Sequence, residues 1–393
     1  MAHIDQVGIP CAYIRGGTSK AVFFHEKDLP APGPLRDTVL KRLMGTPDSH
    51  QIDGMGGATT HTSKVALISP PSREDADVDF TFVHIFIERD AVSYTGNCGN
   101  ISSAVGPFAI DEGIVKVHRK GRIINDSLTT REVRIHNTNT KSILISHVTV
   151  DPVTGFSLTS GASSISGVPG TSAPVLMDYS NNTGGVLGRG LLPTGEVLNH
   201  VTVEGKSIEI SILDVGNVTV FVRAADLGLT GTEPAGQITA NREFIARCKE
   251  LRGKGARLVG MCTDWRLVDE QATGLPVVTL VAPPAHEQVD VNARLVYVNR
   301  CHDTMAGTGA ICLAGASRVE GTVVWNTLSD SSRASDVLRI NHPAGPMPIK
   351  VTRAQGEKRE QGAEYEVLAF ERTSRRLMTG IVFVPKEVWT GPA

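Results

Sequence analysis

The chain repeats one pattern of strands and turns, once in each half. Four segments of the first half recur in the same order in the second half, at offsets between 198 and 213 residues. The pairs are Gly17–Leu29 with Gly216–Leu227, Lys64–Pro71 with Val277–Pro284, Glu112–Val115 with Glu320–Val323, and Val133–Ile135 with Leu338–Ile340. A shared order at a nearly constant offset is typical of a duplicated structural unit. We therefore predict two similar strand-rich domains, residues 1–185 and 186–393, and leave open a return of the last strand to the first domain.

Local patterns assign some elements within each half. Amphipathic periodicity predicts helices at Pro34–Gly45 and Asn241–Gly260. A Glu-Gly turn between alternating apolar residues predicts a hairpin at Val201–Leu213. The glycine-rich stretch Tyr179–Gly195 is the expected linker between the halves.

Composition argues against several classes of function. Lys and Arg total 39 and Asp and Glu total 41, without a run of like charge, so binding of nucleic acid or of a membrane surface is not expected. The six cysteines are scattered without a CxxC pair, which argues against a structural metal site. No P-loop or GxGxxG motif indicates a nucleotide cofactor. We found neither a signal-like N-terminus nor a run of roughly 18 apolar residues, so the sequence predicts a cytoplasmic protein.

Each half also contains a predicted helix that begins at a glycine-containing turn. These helices lie in Thr95–Gly113 and Thr304–Gly321 and consist mainly of small and apolar residues. A helix N-terminus presents unpaired N–H groups and the positive end of the helix dipole, and therefore binds carboxylates or phosphates. Two such ends, one from each half, are expected to hold a small polyanion between them.

Cys98 lies in the first of these turns, a position suited to proton transfer or nucleophilic attack. At the 208-residue offset its counterpart is Ala306, so the second half retains the turn without the thiol. Lys64 stands at the entrance to an apolar strand, where its counterpart is Val277, and is a candidate base. Both residues also have a purely structural interpretation. Cys98 is then a small residue that fits a tight turn, and the aliphatic part of the Lys64 side chain lies along a strand edge.

A polar turn near the start of the chain adds candidates for carboxylate binding. Arg15, Thr18 and Ser19 offer a guanidinium group and two hydroxyls around a Gly-Gly turn. His61 and His302 are the histidines nearest to the candidate motifs, and we interpret both as polar neighbours rather than catalysts.

The motifs RGGTSKAVFF, DGMGGATTHTSK, GNCGN and MAGTGA together resemble the methylaconitate isomerase family. That family includes 2-methylaconitate cis-trans isomerases, methylitaconate and aconitate delta-isomerases, and oxalomesaconate tautomerases. The resemblance covers nearly the whole chain. It implies an α+β, diaminopimelate epimerase-like fold: two pseudo-symmetric domains, each with a curved sheet wrapped around a central helix, and a site in the cleft between them.

The resemblance also implies an activity and a set of site residues. Lys64 and Cys98 match the proposed acid/base residues of the family, acting without cofactor or metal on an aconitate-like unsaturated di- or tricarboxylic acid. The substrate is expected to be 2-methylaconitate or aconitate, and a homodimer is one expected assembly. The predicted substrate-binding residues are Arg15, Gly17, Thr18, Ser19, Asn97, Gly99, Asn100, Met305, Gly307 and Thr308.

Several alternatives stay open at this point. A 4-oxalomesaconate tautomerase uses related chemistry, and a cofactor-independent racemase or epimerase shares the implied fold. Epimerases of this fold place one cysteine on each side of the substrate, and Ala306 departs from that pattern. A thiol hydrolase needs a histidine paired with Cys98, which the sequence does not indicate. A carboxylate-binding protein without catalysis is the remaining alternative.

Overall fold

Strands dominate both halves of the protein. The computed structural model describes residues 5–122, 128–357, 362 and 364–391. The first half contains strands β1 (Gln6–Gly16), β2 (Ser19–His25), β3 (Lys64–Ser69), β4 (Val78–Ile85), β5 (Val92–Ser93), β6 (Arg119–Lys120), β7 (Thr130–Asn137), β8 (Ser142–Thr149) and β9 (Pro174–Asp178). Its α-helices are α1 (Pro34–Met44) and α2 (Gly99–Asp111).

The second half follows the same plan with more helices at its surface. Its strands are β10 (Asn199–Val203), β11 (Lys206–Val215), β12 (Asn217–Arg223), β13 (Val277–Ala282), β14 (Val291–Tyr297), β15 (Arg300–Cys301), β16 (Val337–His342), β17 (Gly345–Arg353) and β18 (Tyr365–Pro385). Its α-helices are α3 (Ala235–Ala240), α4 (Arg242–Leu258), α5 (Val268–Gln271), α6 (Gly307–Ala316), α7 (Val323–Thr327) and α8 (Asp330–Ala334). In the part of the chain that the structure describes, none of these helices is both long and apolar enough to span a membrane.

Strand pairing is the same in the two halves. In the first, β2 pairs parallel with β3, β3 antiparallel with β4, β4 parallel with β7, and β7 antiparallel with β8. In the second, β12, β13, β14, β16 and β17 pair in the same series of directions. The two halves are therefore pseudo-symmetric, as the repeated segments predict.

A helix lies at the centre of each half. Every residue of α6 is buried, and so is every residue of α2 except the last. Small residues let the surrounding strands approach closely: a Cβ on Gly106 would lie 2.7 Å from Ser146 Oγ on β8. One apolar core contains both helices, and burial of this continuous apolar surface holds the halves together. The fold is thus the predicted α+β arrangement of curved sheets around central helices.

The last strand connects the sheets of the two halves. The start of β18 pairs with β17, its middle with β9, and Ser374–Pro385 with β1, always in the antiparallel direction. The last strand therefore contributes to the sheet of the first half. The predicted domain boundary at residue 185 falls between β9 and β10 and stays a prediction.

Candidate active site

The N-termini of the two central helices meet at the middle of the molecule. Cys98 caps α2 and Ala306 caps α6, so the two residues occupy equivalent positions. A Cβ on Gly99 would lie 2.9 Å from the backbone nitrogen of Thr308, closer than real Cβ contacts allow. Glycine at this position therefore brings the unpaired N–H groups of both helix ends to one point.

Lys64 and Cys98 contact each other beside these helix ends. Lys64 is the first residue of β3 and is 7% exposed. Its Nζ donates to Ser19 Oγ at 2.9 Å and to Cys98 Sγ at 3.4 Å. Among the described residues, no carboxylate lies within 4.0 Å of this ammonium group. The positive charge is therefore available to an anion in the adjoining space.

That space, which we call the Lys64 cavity, lies between the two halves. Its first-half wall includes Lys64, His84, Asn97, Cys98 and Asn100. Its second-half wall includes Asn217, Leu295, Tyr297, His302 and Thr308. Among the described residues, the buried Nδ1 atom of His84 on the first wall has no hydrogen-bond partner. Buried polar atoms in proteins are normally paired, so this atom points to a polar ligand in the cavity.

Three histidines surround Lys64 in the neutral form. Burial, followed by the Lys64 charge, lowers the pKa of His61 to about 4 and that of His84 to about 3. The pKa of His302 is also well below its ordinary value, mainly because of burial, and its ring lies 4.3 Å from that of His61. At neutral pH these rings donate or accept hydrogen bonds without adding charge.

The lowered pKa of His84 predicts a pH-dependent stability. The unfolded chain protonates this histidine near its ordinary pKa of 6.5, whereas the folded protein does so only near 3. Between these values the unfolded state binds more protons, so lowering the pH reduces the free energy of unfolding by about 1.4 kcal/mol per pH unit for such a histidine. His84→Gln should remove one histidine's share of this slope, measured by urea unfolding between pH 7 and 4.5. An unchanged slope would contradict the buried, neutral state of His84.

Most of the predicted site residues lie at this cavity or next to it. Asn97, Gly99, Asn100 and Thr308 line it together with the Lys64–Cys98 pair, and Ser19 accepts the hydrogen bond from Lys64. Gly307 contacts Gly99 from the other helix end. Thr18 and Met305 line an adjacent cavity.

The two remaining predicted residues shape the β1–β2 turn. Gly17 has a φ of +51°, and a Cβ there would lie 2.3 Å from Asn100 Oδ1. Arg15 Nη1 donates to the backbone oxygens of Gly17 at 3.0 Å and Thr373 at 2.9 Å. The structure thus places the Arg15 guanidinium group outside the Lys64 cavity, because it is engaged in holding this turn. Its predicted contact with a substrate carboxylate stays a prediction.

Sequence reasoning missed Asn217, which links the two helix ends. Its Nδ2 donates to the backbone oxygen of Asn97 at 3.0 Å and to Thr308 Oγ1 at 2.9 Å, and its Oδ1 accepts from the Asn97 nitrogen at 3.1 Å. The 198-residue offset pairs Asn217 with Ser19, the partner of Lys64. Comparison of the two halves could therefore have identified Asn217 from the sequence. His84 and Arg372 were also missed; His84 is opposite Lys64 on the neighbouring strand.

Known proteins resemble this chain over its whole length. The PrpF protein family matches residues 6–385. A 3-methylitaconate isomerase of Eubacterium barkeri is 40% identical, with 97% of this chain and 98% of the relative covered. A 4-oxalomesaconate tautomerase of Pseudomonas putida is 36% identical, with 99% of each covered. A 2-methyl-aconitate isomerase of Shewanella oneidensis is 34% identical, with 97% and 98% covered.

Solved structures agree with this relationship. A crystal structure of methylitaconate-delta-isomerase matches with a TM-score of 0.77 and 40% identity, covering 99% of this chain and 98% of the other. A probable proline racemase from Agrobacterium radiobacter matches with a TM-score of 0.56 and 12% identity, covering 95% and 92%, which shows a common fold alone. The family match and the relatives lead to one conclusion: this chain is a member of the PrpF protein family.

Proposed function

We propose that this protein is an isomerase that moves a proton between two carbons of an unsaturated di- or tricarboxylic acid, without a cofactor. The observation that carries the proposal is the 3.4 Å contact between Lys64 Nζ and Cys98 Sγ at the wall of a cavity. The relatives named for isomerisation or tautomerisation of such acids support the same class of reaction.

The proposed reaction has two proton transfers. The deprotonated member of the Lys64–Cys98 pair accepts a proton from the carbon next to the double bond, and the C–H electron pair enters the conjugated system to give a dienolate. The N–H groups at the starts of α2 and α6 stabilise this charge as it develops, which is usually the largest single contribution to catalysis. The other member of the pair then delivers a proton two carbons away, and the double bond migrates. Rotation in the intermediate gives cis–trans change.

The contact between the two groups favours transfer on one side of the substrate. Their separation is comparable to the distance between the ends of a three-carbon allylic unit, so both ends are within reach of the pair. A racemase instead needs acid/base groups on opposite faces of one carbon, and Ala306 has no such group at the position equivalent to Cys98. The geometry therefore supports double-bond migration over inversion of a stereocentre.

The proposed substrates are 2-methylaconitate or aconitate, with 4-oxalomesaconate as the alternative. All three carry carboxylates that the two helix N-termini and the Lys64 ammonium group would bind.

Solvent exchange followed by NMR tests the proposal. We expect the enzyme in D₂O to deposit deuterium at the allylic carbon of one or more of cis-aconitate, trans-aconitate, 2-methylaconitate, methylitaconate and oxalomesaconate. The double bond should migrate in the same acid. A wild-type enzyme that exchanges no deuterium into any of these acids would refute the proposed function.

A further inference from the structure

Arg372 is a buried cation that has no acidic partner in the described part of the chain. It lies in β18 and is 5% exposed. Its Nε donates to Asn100 Oδ1 at 3.0 Å, its Nη1 to the backbone oxygen of Glu371 at 2.9 Å, and its Nη2 to the thioether sulfur of Met347 at 2.9 Å. Burial lowers the pKa of Arg372 to about 10, which leaves the guanidinium group charged at neutral pH.

Of the other buried arginines, Arg131 and Arg294 donate to backbone oxygens, whereas two have acidic partners. Arg36 pairs with Glu26 at 2.6 Å and Arg252 with Asp269 at 2.8 Å. Among the residues that the structure describes, no carboxylate lies within 4.0 Å of the Arg372 guanidinium nitrogens. A thioether is a weak acceptor, so Nη2 retains unused capacity to donate. The Phe370 ring, whose centre lies 4.5 Å from the guanidinium carbon, stabilises the charge in part, and an anion would offset the remaining cost of its burial.

Arg372 faces a second cavity, which we call the Arg372 cavity. Thr18, Thr304, Met305, His342 and Met347 also line it. Its other charged side chains are Lys350 and Glu371, and burial lowers the pKa of His342 to about 4, so that ring is neutral at pH 7. With two cationic groups and one carboxylate on its wall, the cavity favours an anionic occupant.

The two cavities are neighbours. Asn100, which lines the Lys64 cavity, donates to Thr18 Oγ1 at 3.1 Å and accepts from Arg372. His302, also from the Lys64 cavity, contacts Thr304 at 3.2 Å, and Thr304 contacts Thr18 at 3.1 Å. A single amide side chain thus connects the helix ends to Arg372. The two cavities therefore meet at Asn100, Thr18 and Thr304.

The sizes of the cavities support a shared ligand. The cavity volume that the centre of a water molecule can occupy is about 50 Å³ in the Lys64 cavity and about 420 Å³ in the Arg372 cavity. One water needs roughly 10–15 Å³ on this measure. The Lys64 cavity therefore accommodates the reacting carbons and one carboxylate, whereas a whole tricarboxylic acid needs further room.

We propose that the Arg372 cavity is the subsite for a carboxylate remote from the reacting carbons, with Arg372 as its anchor. This inference rests on the proposed function for the identity of the ligand. In this subsite Arg372 selects acids that carry a carboxylate beyond those bound in the Lys64 cavity, because a guanidinium group binds a carboxylate through two parallel hydrogen bonds.

Calorimetric titration with propane-1,2,3-tricarboxylate, a saturated acid that does not react, tests the subsite independently of turnover. We expect Arg372→Gln to raise the Kd at least about 10²-fold, as loss of a buried charge-assisted pair implies. Arg375→Gln, which changes an exposed arginine on the same strand, should leave the Kd unchanged.

Succinate, which lacks one carboxylate, should bind the wild type more weakly than the tricarboxylate, and Arg372→Gln should remove this difference. If Arg372→Gln does not fold, Arg372→Lys keeps the charge without the planar fork and should still raise the Kd at least about tenfold.

The outcomes separate the two proposals. An unchanged Kd for the tricarboxylate in a folded Arg372 variant would overturn the subsite, whatever the enzyme does to unsaturated acids. Binding that depends on Arg372, in a protein that exchanges deuterium into none of the acids tested, would support the subsite and refute the isomerase. For the acid that the enzyme does convert, Arg372→Gln should raise KM with little change in kcat, because a remote contact contributes equally to the ground state and the transition state.

Discussion

Replacing Lys64 by methionine, or Cys98 by alanine, is expected to lower kcat by roughly 10² to 10⁴. Each change removes one member of the pair whose Nζ and Sγ atoms lie 3.4 Å apart, so one of the two proton transfers loses its donor or acceptor. Incorporation of deuterium from D₂O into the isomerised product should fall by the same factor, because formation of that product needs both transfers. NMR time courses with the acid that the wild type converts measure both rates together.

Matched variants control for general damage to the protein. Lys20→Met changes the lysine of the RGGTSK motif, whose Nζ lies 5.4 Å from the centre of the Tyr13 ring, outside the Lys64 cavity. Cys262→Ala changes a buried cysteine in a separate small apolar cluster. Both should keep wild-type turnover. Wild-type rates in Lys64→Met and Cys98→Ala would show that the acid/base groups lie elsewhere.

Gly99→Ala is expected to lower kcat/KM by roughly 10² and to destabilise the fold by about 1–3 kcal/mol. The added Cβ would lie 2.9 Å from the Thr308 nitrogen and 3.1 Å from the Gly307 carbonyl carbon. Both are backbone atoms of the facing helix end, so the two N-termini must move apart. Their N–H groups then no longer converge on the charge that develops in the substrate.

The control for this variant is another helical glycine. A Cβ on Gly236 of α3 would meet nothing within 4 Å, so Gly236→Ala should keep full activity and raise stability by about 0.5–1 kcal/mol. Steady-state kinetics and urea unfolding of the two variants measure the difference. Gly99→Ala with wild-type activity and stability would mean that the close approach of α2 and α6 has no role in catalysis.

Much of the fold is predictable because local patterns and the duplication agree. The predicted helix at Asn241–Gly260 is α4, with Asn241 accepting a hydrogen bond from the Phe244 nitrogen as its cap. The predicted hairpin at Val201–Leu213 turns at Glu204 and Gly205, between β10 and β11. These elements depend on contacts between residues close in sequence, so their pattern is visible in a single chain.

Residues of the candidate site are predictable where they lie in compact motifs. Lys64 was identified at a strand entrance and Cys98 in a turn, and the structure brings their side chains into contact. Their catalytic roles stay a prediction. The motif around Arg15 does not predict where its side chain points. That direction depends on the Gly17 turn and on Thr373, a residue distant in sequence.

The missed residues depend on pairings between distant segments. His84 reads as one position of an alternating strand, and only the register of β3 with β4 places it opposite Lys64. Arg372 stands in the polar stretch ERTSRR, which reads as an exposed strand. Its burial results from the path of β18 between β9 and β1, which no local pattern encodes.

A crystal structure of the Cys98→Ala enzyme with its unreacted acid would test the central claim most directly. We predict one end of the three-carbon unit within roughly 3–3.5 Å of Lys64 Nζ, the other end facing the position of the missing thiol, and one carboxylate at the starts of α2 and α6. An acid bound away from this cavity, or one held with its reacting carbons out of reach of Lys64, would contradict the account.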